Sequence, residues 1–347
     1  MPTQTASRPL QAPLLKPLPL KIEGVGCYLP QRIVRNEELE QRCQLPTGWI
    51  SKWMGVHERR WADHQRETNA FMGARAAEDA LANAACDLTD IDLILNASGT
   101  HQHMLPENAP FIQEELGRAA HGIAAMSINA TCLSFVVGLD TAASLLATGR
   151  YTRILIVSSD IASVGLNFEQ PESAALFGDA AAAVVVSRSA PDESACLESA
   201  HFVTYSDGVR LTEIFAGASF EPSYHYDQDK HALYVFNMQG RKVLRLARKH
   251  LPSFLETLRT GLSQSLDGID VVIPHQASRM GLKLAGGLKW SGEKIVQTLS
   301  SLGNTIAASI PLTLHEAIKT GQLKRGMRVL LVGTGAGLSI GGVILRY

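Results

Sequence analysis

Cys132 closes the run Asn129-Ala130-Thr131-Cys132 and is followed by an apolar, small-residue stretch. That stretch, Leu133 to Thr148, reads as a helix with Gly149 as its stop, and a β-like run from Ala124 to Ile128 leads into it. A cysteine at a strand-to-helix corner meets backbone N–H groups and the positive end of a helix dipole, which favour a thiolate. A single small cysteine is more often inert core than nucleophile, and two later segments change that balance. His275 stands at the end of the buried run Asp270–Ile273, in Pro274-His275-Gln276-Ala277. Asn304 stands in a glycine turn, Ser301 to Ser309, that enters a small-residue helix. Alone, the first would be a rim histidine and the second a helix cap. Together the three types suit acyl chemistry. A thiolate accepts an acyl group from a thioester, and a neutral imidazole and a carboxamide donate hydrogen bonds to a carbonyl oxygen as negative charge develops on it. The glycine-rich backbone at 333–337 can approach closely and add an N–H.

The elements that must position these residues alternate between strand and helix. Lys21–Leu29 reads as a first strand, and Asn36 as the cap of a helix reaching about Cys43. The segment from Thr47 to Trp61 holds three tryptophans in thirteen residues, as a channel lining or a core edge. Thr68–Ala85 reads as an alanine-rich helix, Ile91–Asn96 as a buried strand and residues 108–117 as a helix. His101 and His103, in the loop Ser98–Pro106, have no third ligand nearby, so no metal site is expected there. Strands follow at Arg153–Ser158, Ala180–Ser187, Leu197–Tyr205, Asp270–Ile273, Arg328–Val332 and Ile340–Tyr347. Phe236–Leu266 reads as mostly helical, and its basic run Arg241–His250 as a solvated face or a docking face for an acidic partner. The pair of strands beginning Arg153-Ile154-Leu155-Ile156-Val157 resembles the pair beginning Arg328-Val329-Leu330-Leu331-Val332. That repetition suggests two similar halves with a site where they meet. The alternation itself is the α/β signature.

Composition bounds the function. The chain has 347 residues, 46% of them hydrophobic, enough for a large core. Its 32 basic and 33 acidic residues leave a formal charge of −1, which gives no electrostatic reason to expect nucleic acid or an anionic membrane as partner. Five cysteines, without CxxC or clustered ligand spacing, argue against a disulfide framework and structural zinc, and fit a reducing cytoplasm. Residues 1–20, interrupted by Pro9, Pro13, Pro17 and Pro19, read as a flexible tail rather than a signal peptide. No apolar run approaches the ~18–20 residues of a membrane helix. The expected division is thus a tail over 1–20 and halves over 21–190 and 191–347.

Four motifs in order, Asn129-Ala130-Thr131-Cys132, Pro274-His275-Gln276-Ala277, Gly303-Asn304-Thr305-x-Ala307-Ala308-Ser309 and Gly335-Ala336-Gly337, closely resemble those of the β-ketoacyl-acyl-carrier-protein synthase III group of the thiolase superfamily. Phe177-Gly178-Asp179-Ala180-Ala181 adds a further family element, and the resemblance spans about residues 21–347. It implies a five-layer αβαβα fold built from two similar halves, a homodimer, and thioester chemistry without a metal or resident cofactor. Substrates would arrive on the phosphopantetheine of an acyl carrier protein or of CoA. By the same resemblance Cys132 carries the acyl group, and His275 and Asn304 stabilise the enolate of a decarboxylating malonyl-type thioester. The backbone N–H groups of Cys132 and Ala336 would form the oxyanion hole, and Trp49, Trp53, Leu105, Glu107, Val164 and Met280 fall at substrate-binding positions.

The departures point to a specialised branch. Family members that use acetyl-CoA have Trp-x-x-x-Arg, whereas here Trp49 is followed by Trp53. Two further arginines that meet the CoA nucleotide align with Val164 and Met280, and Arg279 is displaced by one. The leading expectation is a decarboxylative condensing enzyme. The alternatives are the olefin-pathway type, with Glu107 as a base serving the partner subunit, an acyltransferase to an oxygen or nitrogen acceptor, and a non-catalytic partner subunit. The intact Cys132, His275 and Asn304 argue against the last.

Overall fold

The computed structural model describes residues 16–288 and 290–347, with the backbone alone over 284–287. Nine strands make two sheets. The first contains β1 (Lys21–Tyr28), β2 (Leu93–Asn96), β3 (Ala124–Ser127), β4 (Arg153–Asp160) and β5 (Ala180–Ser187), in the order β1-β5-β4-β2-β3. The second contains β6 (Cys196–Thr204), β7 (Val271–Pro274), β8 (Arg328–Gly335) and β9 (Ser339–Arg346), in the order β7-β8-β9-β6. β1, β5 and β4 pair antiparallel in turn, and β4 then pairs parallel to β2. β6, β9, β8 and β7 repeat that sequence of orientations strand for strand.

Alternation along the buried strands sorts the core into layers. Leu93, Leu95, Ile154 and Ile156 of the first sheet share one cluster with Val271, Ile273, Val329 and Leu331 of the second. Between them lie Phe135, Leu139 and Leu146 of α3 (Ser134–Ala147) and Ile310 and Leu314 of α6 (Ser309–Lys319). On the outer face of the first sheet, Ile94, Leu155 and Val157 meet α1 (Asn69–Ala84) and α2 (Asn108–Glu115). On the outer face of the second, Val272, Leu330 and Ile344 meet Phe254, Leu255 and Leu258 of α4 (Gly240–Leu258). The result is the expected five-layer αβαβα arrangement. A further helix, α5 (Arg279–Gly287), follows β7.

Several expected boundaries move for identifiable reasons. Residues 1–15 of the expected tail lie outside the described residues. The end of that segment is part of the core: Leu18 and Leu197 exchange two backbone hydrogen bonds of 2.9 Å, and Leu20 is buried. Asn36 is the first residue of its helix rather than its cap, because its amide donates to Val56 O (2.7 Å) and Ser51 Oγ (2.8 Å). The helix expected over Phe236–Leu266 runs only from Gly240 to Leu258. β8 continues to Gly335, where Gly333–Gly335 pair with Ser339–Gly341; the glycines hide a strand that backbone pairing alone extends.

Candidate functional site

Three hydrogen bonds hold the corner that carries Cys132. Asn129 Oδ1 accepts from Thr131 N–H (2.8 Å). Ser134 Oγ accepts from Ala130 N–H (2.9 Å) and donates to Thr131 O (2.7 Å). They keep Thr131 at φ 53°, a left-handed conformation that a β-branched residue adopts only under strain, at a cost on the order of 1–3 kcal/mol. Cys132 then sits in a single 3-10 turn, Thr131–Leu133, directly ahead of α3.

The thiol itself departs from the expectation of a lowered pKa. Burial, and secondly the carboxylate of Asp160, push it up to about 12, while the backbone hydrogen bond opposes them more weakly. Desolvation of a thiolate and a like charge therefore outweigh that backbone hydrogen bond. Cys132 is a neutral thiol at neutral pH. Asp160 ends β4 with no exposure. It accepts from Gly99 N–H (2.8 Å), Thr100 N–H (2.8 Å), the Thr100 hydroxyl (3.0 Å) and Ala308 N–H (3.1 Å). Burial nonetheless raises its pKa to about 6. Sequence reading missed this residue, although a carboxylate ending an otherwise apolar strand is a visible signal.

His275 follows β7 and is fixed by its N–H to Val332 O (2.8 Å). Its Nδ1 lies 2.6 Å from Ser309 Oγ at the start of α6. That hydroxyl oxygen accepts from Gln276 N–H (3.4 Å), and its own proton, on a residue only 1% exposed, has no acceptor other than Nδ1 among the described hydrogen bonds, which leaves the imidazole N–H on Nε2. Burial lowers the His275 pKa to about 4, which keeps the ring neutral and a donor at Nε2. Asn304 Oδ1 accepts from Ile306 N–H (2.9 Å), and its amide donates to Ala277 O (3.3 Å) beside His275. One amide hydrogen remains for a ligand.

Two glycines let these segments meet. A Cβ on Gly333 would stand 2.7 Å from His275 Cβ and 3.4 Å from Leu133 Cδ2. A Cβ on Gly99 would stand 2.5 Å from Ile306 Cγ2 and 3.2 Å from Thr131 O. The Cys132 corner, the His275 turn and the Asn304 turn thus converge where the two halves join. Ala336 lies over the same corner, and its N–H donates to Thr131 Oγ1 (3.1 Å). A carbonyl oxygen taking that N–H displaces the Thr131 hydroxyl.

The expected substrate-binding residues divide into two groups. Trp49 packs in one apolar cluster with Leu166, Leu282 and Ile306, so the helix Trp49–Trp53 is continuous with the Asn304 turn. Trp53, Val164 and Met280 are exposed. Arg279 runs along Gly55 and donates to Lys52 O (2.6 Å). Leu105 is 87% exposed, and the neighbouring Met104 is also open to solvent. Glu107 Oε2 is 3.1 Å from His101 Nδ1, and His101 Nε2 is 3.0 Å from Asn129 Nδ2. Glu107 is thereby linked through His101 to the asparagine that holds Thr131, a role for His101 that its sequence context did not suggest.

Two matching α/β halves, with a cysteine at a strand-to-helix corner of the first and a histidine and an asparagine from the second, define a thiolase-type condensing fold. Residues 126–208 match the family model of 3-oxoacyl-[acyl-carrier-protein] synthase III, and residues 262–347 that of its C-terminal part. The β-ketoacyl-[acyl-carrier-protein] synthase III of Aquifex aeolicus is 34% identical over 94% of this chain and 99% of its own length. A crystal structure of 3-oxoacyl-[acyl-carrier-protein] synthase III from the same organism aligns with TM-score 0.83 at 32% identity, covering 94% of this chain and all (100%) of that one. The priming β-ketosynthase of the R1128 polyketide pathway aligns with TM-score 0.85 at 26% identity over 98% of each chain. The chain belongs to the β-ketoacyl-[acyl-carrier-protein] synthase III family.

Proposed function

We propose that this protein joins acyl thioesters by decarboxylative Claisen condensation, in fatty-acid or polyketide-like specialised metabolism. The observation that carries the reading is the convergence of a neutral Cys132 thiol with two neutral donors, His275 Nε2–H and the Asn304 amide, both on residues only 5% exposed. In the first step Cys132 Sγ forms a thioester with the incoming acyl group, and its proton leaves with the departing pantetheine sulfur. The N–H groups of Cys132 and Ala336 then hold the acyl oxygen. In the second step a malonyl-type thioester loses carbon dioxide. The electron pair becomes an enolate whose oxygen receives hydrogen bonds from His275 and Asn304. Its carbon attacks the Cys132 thioester, releasing a 3-oxoacyl thioester and restoring the thiol after protonation. A neutral donor suits an enolate because it needs no prior charge and pays no desolvation on reaction. Trp49, Trp53, Val164 and Met280 would line the pantetheine path, and Leu105 and Glu107 the acyl end. The hydrogen bond between Glu107 and His101 favours this reading over one in which Glu107 is a free base.

At least one substrate would arrive on an acyl carrier protein. Arg241, Lys242, Arg245, Arg248 and Lys249 are exposed on α4, and none has an acidic partner among the described residues. α4 packs against α5, which begins at Arg279. A homodimer belongs to the same reading, since β3 is an edge strand with Ala124 and Met126 exposed and an unpaired edge invites a second strand. No described helix is long and apolar enough to cross a membrane, and a cytoplasmic enzyme fits the five unpaired cysteines. The test is stepwise mass spectrometry. An acyl-carrier-protein thioester should add one acyl unit to the protein, and a malonyl thioester should then remove it with equal yields of carbon dioxide and 3-oxoacyl product. Loss of the adduct without carbon dioxide would overturn the decarboxylative step, and absence of any adduct the whole reading.

A further inference from the structure

At the opposite edge of the first sheet from β3, three side chains from three layers converge. Gly24 and Gly26 of β1 press against Ala76 and Ala80 of α1, so the alternate residue Cys27 faces the other way, toward α6. There it packs with Ala182, Ala308 and Leu312, and His315 lies one helical turn beyond Leu312. Asp79 reaches from α1 around the edge strand. Its Oδ2 accepts from Cys27 N–H (2.9 Å), and Oδ1 accepts from Asn83 Nδ2 (3.4 Å). One donor atom from each of Cys27, Asp79 and His315 lies within 4.8 Å of the other two, and all three residues are half-buried. Among the described hydrogen bonds, none involves Cys27 Sγ or the His315 ring.

A thiolate, an imidazole and a carboxylate are the donor types of a tetrahedral zinc site. Calcium and magnesium prefer all-oxygen shells. Bonds of about 2.0–2.3 Å place the donors of such an ion nearer together than 4.8 Å, by an amount that rotation of half-buried side chains supplies. We propose that Cys27, Asp79 and His315 bind one zinc ion, with solvent in the fourth position, and that the ion clamps α1, β1 and α6 together. The bonds to Cys27 N–H and from Asn83 orient the Asp79 carboxylate for this. Without an ion, burial and then Asp79 raise the Cys27 thiol to about 11, with Lys319 opposing and Glu316 reinforcing the shift. Burial lowers the His315 pKa, with Asp79 and Glu316 opposing and Lys319 reinforcing the shift. Binding at neutral pH therefore displaces the Cys27 proton onto solvent, and affinity rises with pH. The site is structural and independent of the chemistry at Cys132.

Cobalt(II) is the probe, added to the full-length, reduced and chelator-treated protein. The wild type should develop a sulfur-to-cobalt charge-transfer band that saturates at one equivalent and is displaced by zinc. Cys27→Ser should lose the band. His315→Gln should weaken binding at least roughly tenfold, by analogy with the loss on disturbing even outer partners of a metal ligand. Zinc should raise the Tm of the wild type and leave that of Cys27→Ser unchanged. Should Cys27→Ser fail to fold, His315→Gln, altered on a half-exposed helix face, decides alone. A wild type with no saturable band, a band undiminished in His315→Gln, or a band retained in Cys27→Ser, which would place the ion on another cysteine, would overturn the proposal.

Discussion

The corner at Cys132 and the corner at Asn304 are two versions of one turn. Asn129 and Asn304 each accept, through Oδ1, the N–H of the residue two positions on, at 2.8 and 2.9 Å. Those residues, Thr131 and Ile306, are both β-branched and both left-handed, at φ 53° and 52°. A serine follows three residues later in each, Ser134 and Ser309, at the first position of α3 and of α6. The differences lie in two places. The residue after the strained one is Cys132 in the first half and the fully buried Ala307 in the second. The serine of the first half closes its own turn, whereas that of the second half reaches His275. The two halves thus present matching corners that differ in the residue after the strained one and in what the serine hydroxyl bonds.

Moving the thiol is the severest test of that equivalence. Cys132→Ala should abolish the acyl adduct seen by intact mass. Adding Ala307→Cys should not restore it, because position 307 lies at the corresponding place in the turn but is closed to substrate. An adduct on residue 307 would show the two corners to be interchangeable. Removing the donors comes next. His275→Ala or Asn304→Ala should lower the condensation rate on the order of 10²–10³ while still allowing acylation of Cys132; condensation at the wild-type rate would place the enolate elsewhere.

The two serines separate the halves more finely. Ser309→Ala leaves His275 Nδ1 and Gln276 N–H without a partner, and should slow condensation about tenfold in addition to lowering stability by about 1–3 kcal/mol. Ser134→Ala strips Ala130 N–H and Thr131 O, and should lower stability by a similar amount, about 1–3 kcal/mol, while leaving the condensation rate of the folded protein nearly unchanged. If Ser134→Ala and Ser309→Ala had the same profile in kinetics, the division of labour would fail.

Cys132 also differs from its counterpart in what its surroundings do to charge. Its thiol, pushed up to about 12, should react with iodoacetamide at a rate that climbs about tenfold per pH unit from 7 towards 11. The negative charge of Asp160 repels the thiolate, so Asp160→Asn should shift the profile to lower pH. A wild-type profile already level at pH 8 would restore the helix terminus as the dominant influence.

The buried strands are legible because parallel pairing within a covered sheet demands continuous apolar runs, as in Arg153–Val157 and Arg328–Val332. The repeat was visible there too, and the Cys132, His275 and Asn304 motifs pointed to segments that do converge. The left-handed Thr131 and Ile306 were not visible, since neither residue type signals that conformation and only the flanking asparagine and serine impose it. Asp160 was hidden for a related reason: its partners, Gly99, Thr100 and Ala308, are distant in sequence. The pKa of Cys132 depends on those tertiary neighbours, which no local pattern contains.

The smallest expected effect lies at the far ends of the same strands. Arg153 begins β4 and Arg328 begins β8, and each N–H donates to an aspartate of the neighbouring segment, Asp92 at 3.0 Å and Asp270 at 2.8 Å. Each guanidinium then meets a glutamate at 2.6 Å, Glu23 on β1 and Glu198 on β6. The duplicated pairs differ in their third member. Glu23 accepts from the hydroxyl of Ser187 (2.9 Å), whereas Glu198 gains a second cation, Arg346, at 3.3 Å. A partly solvated ion pair contributes about 0.2–1 kcal/mol, so Glu198→Gln, which loses two such pairs, should destabilise more than Glu23→Gln by roughly one pair's worth. Salt screens charge pairs but not the Ser187 hydrogen bond. The gap between the two variants in urea midpoint should therefore narrow as sodium chloride rises. Equal losses at low salt, or a gap that salt leaves untouched, would mean that Arg346 adds no charge interaction and that the two halves are equivalent here as well.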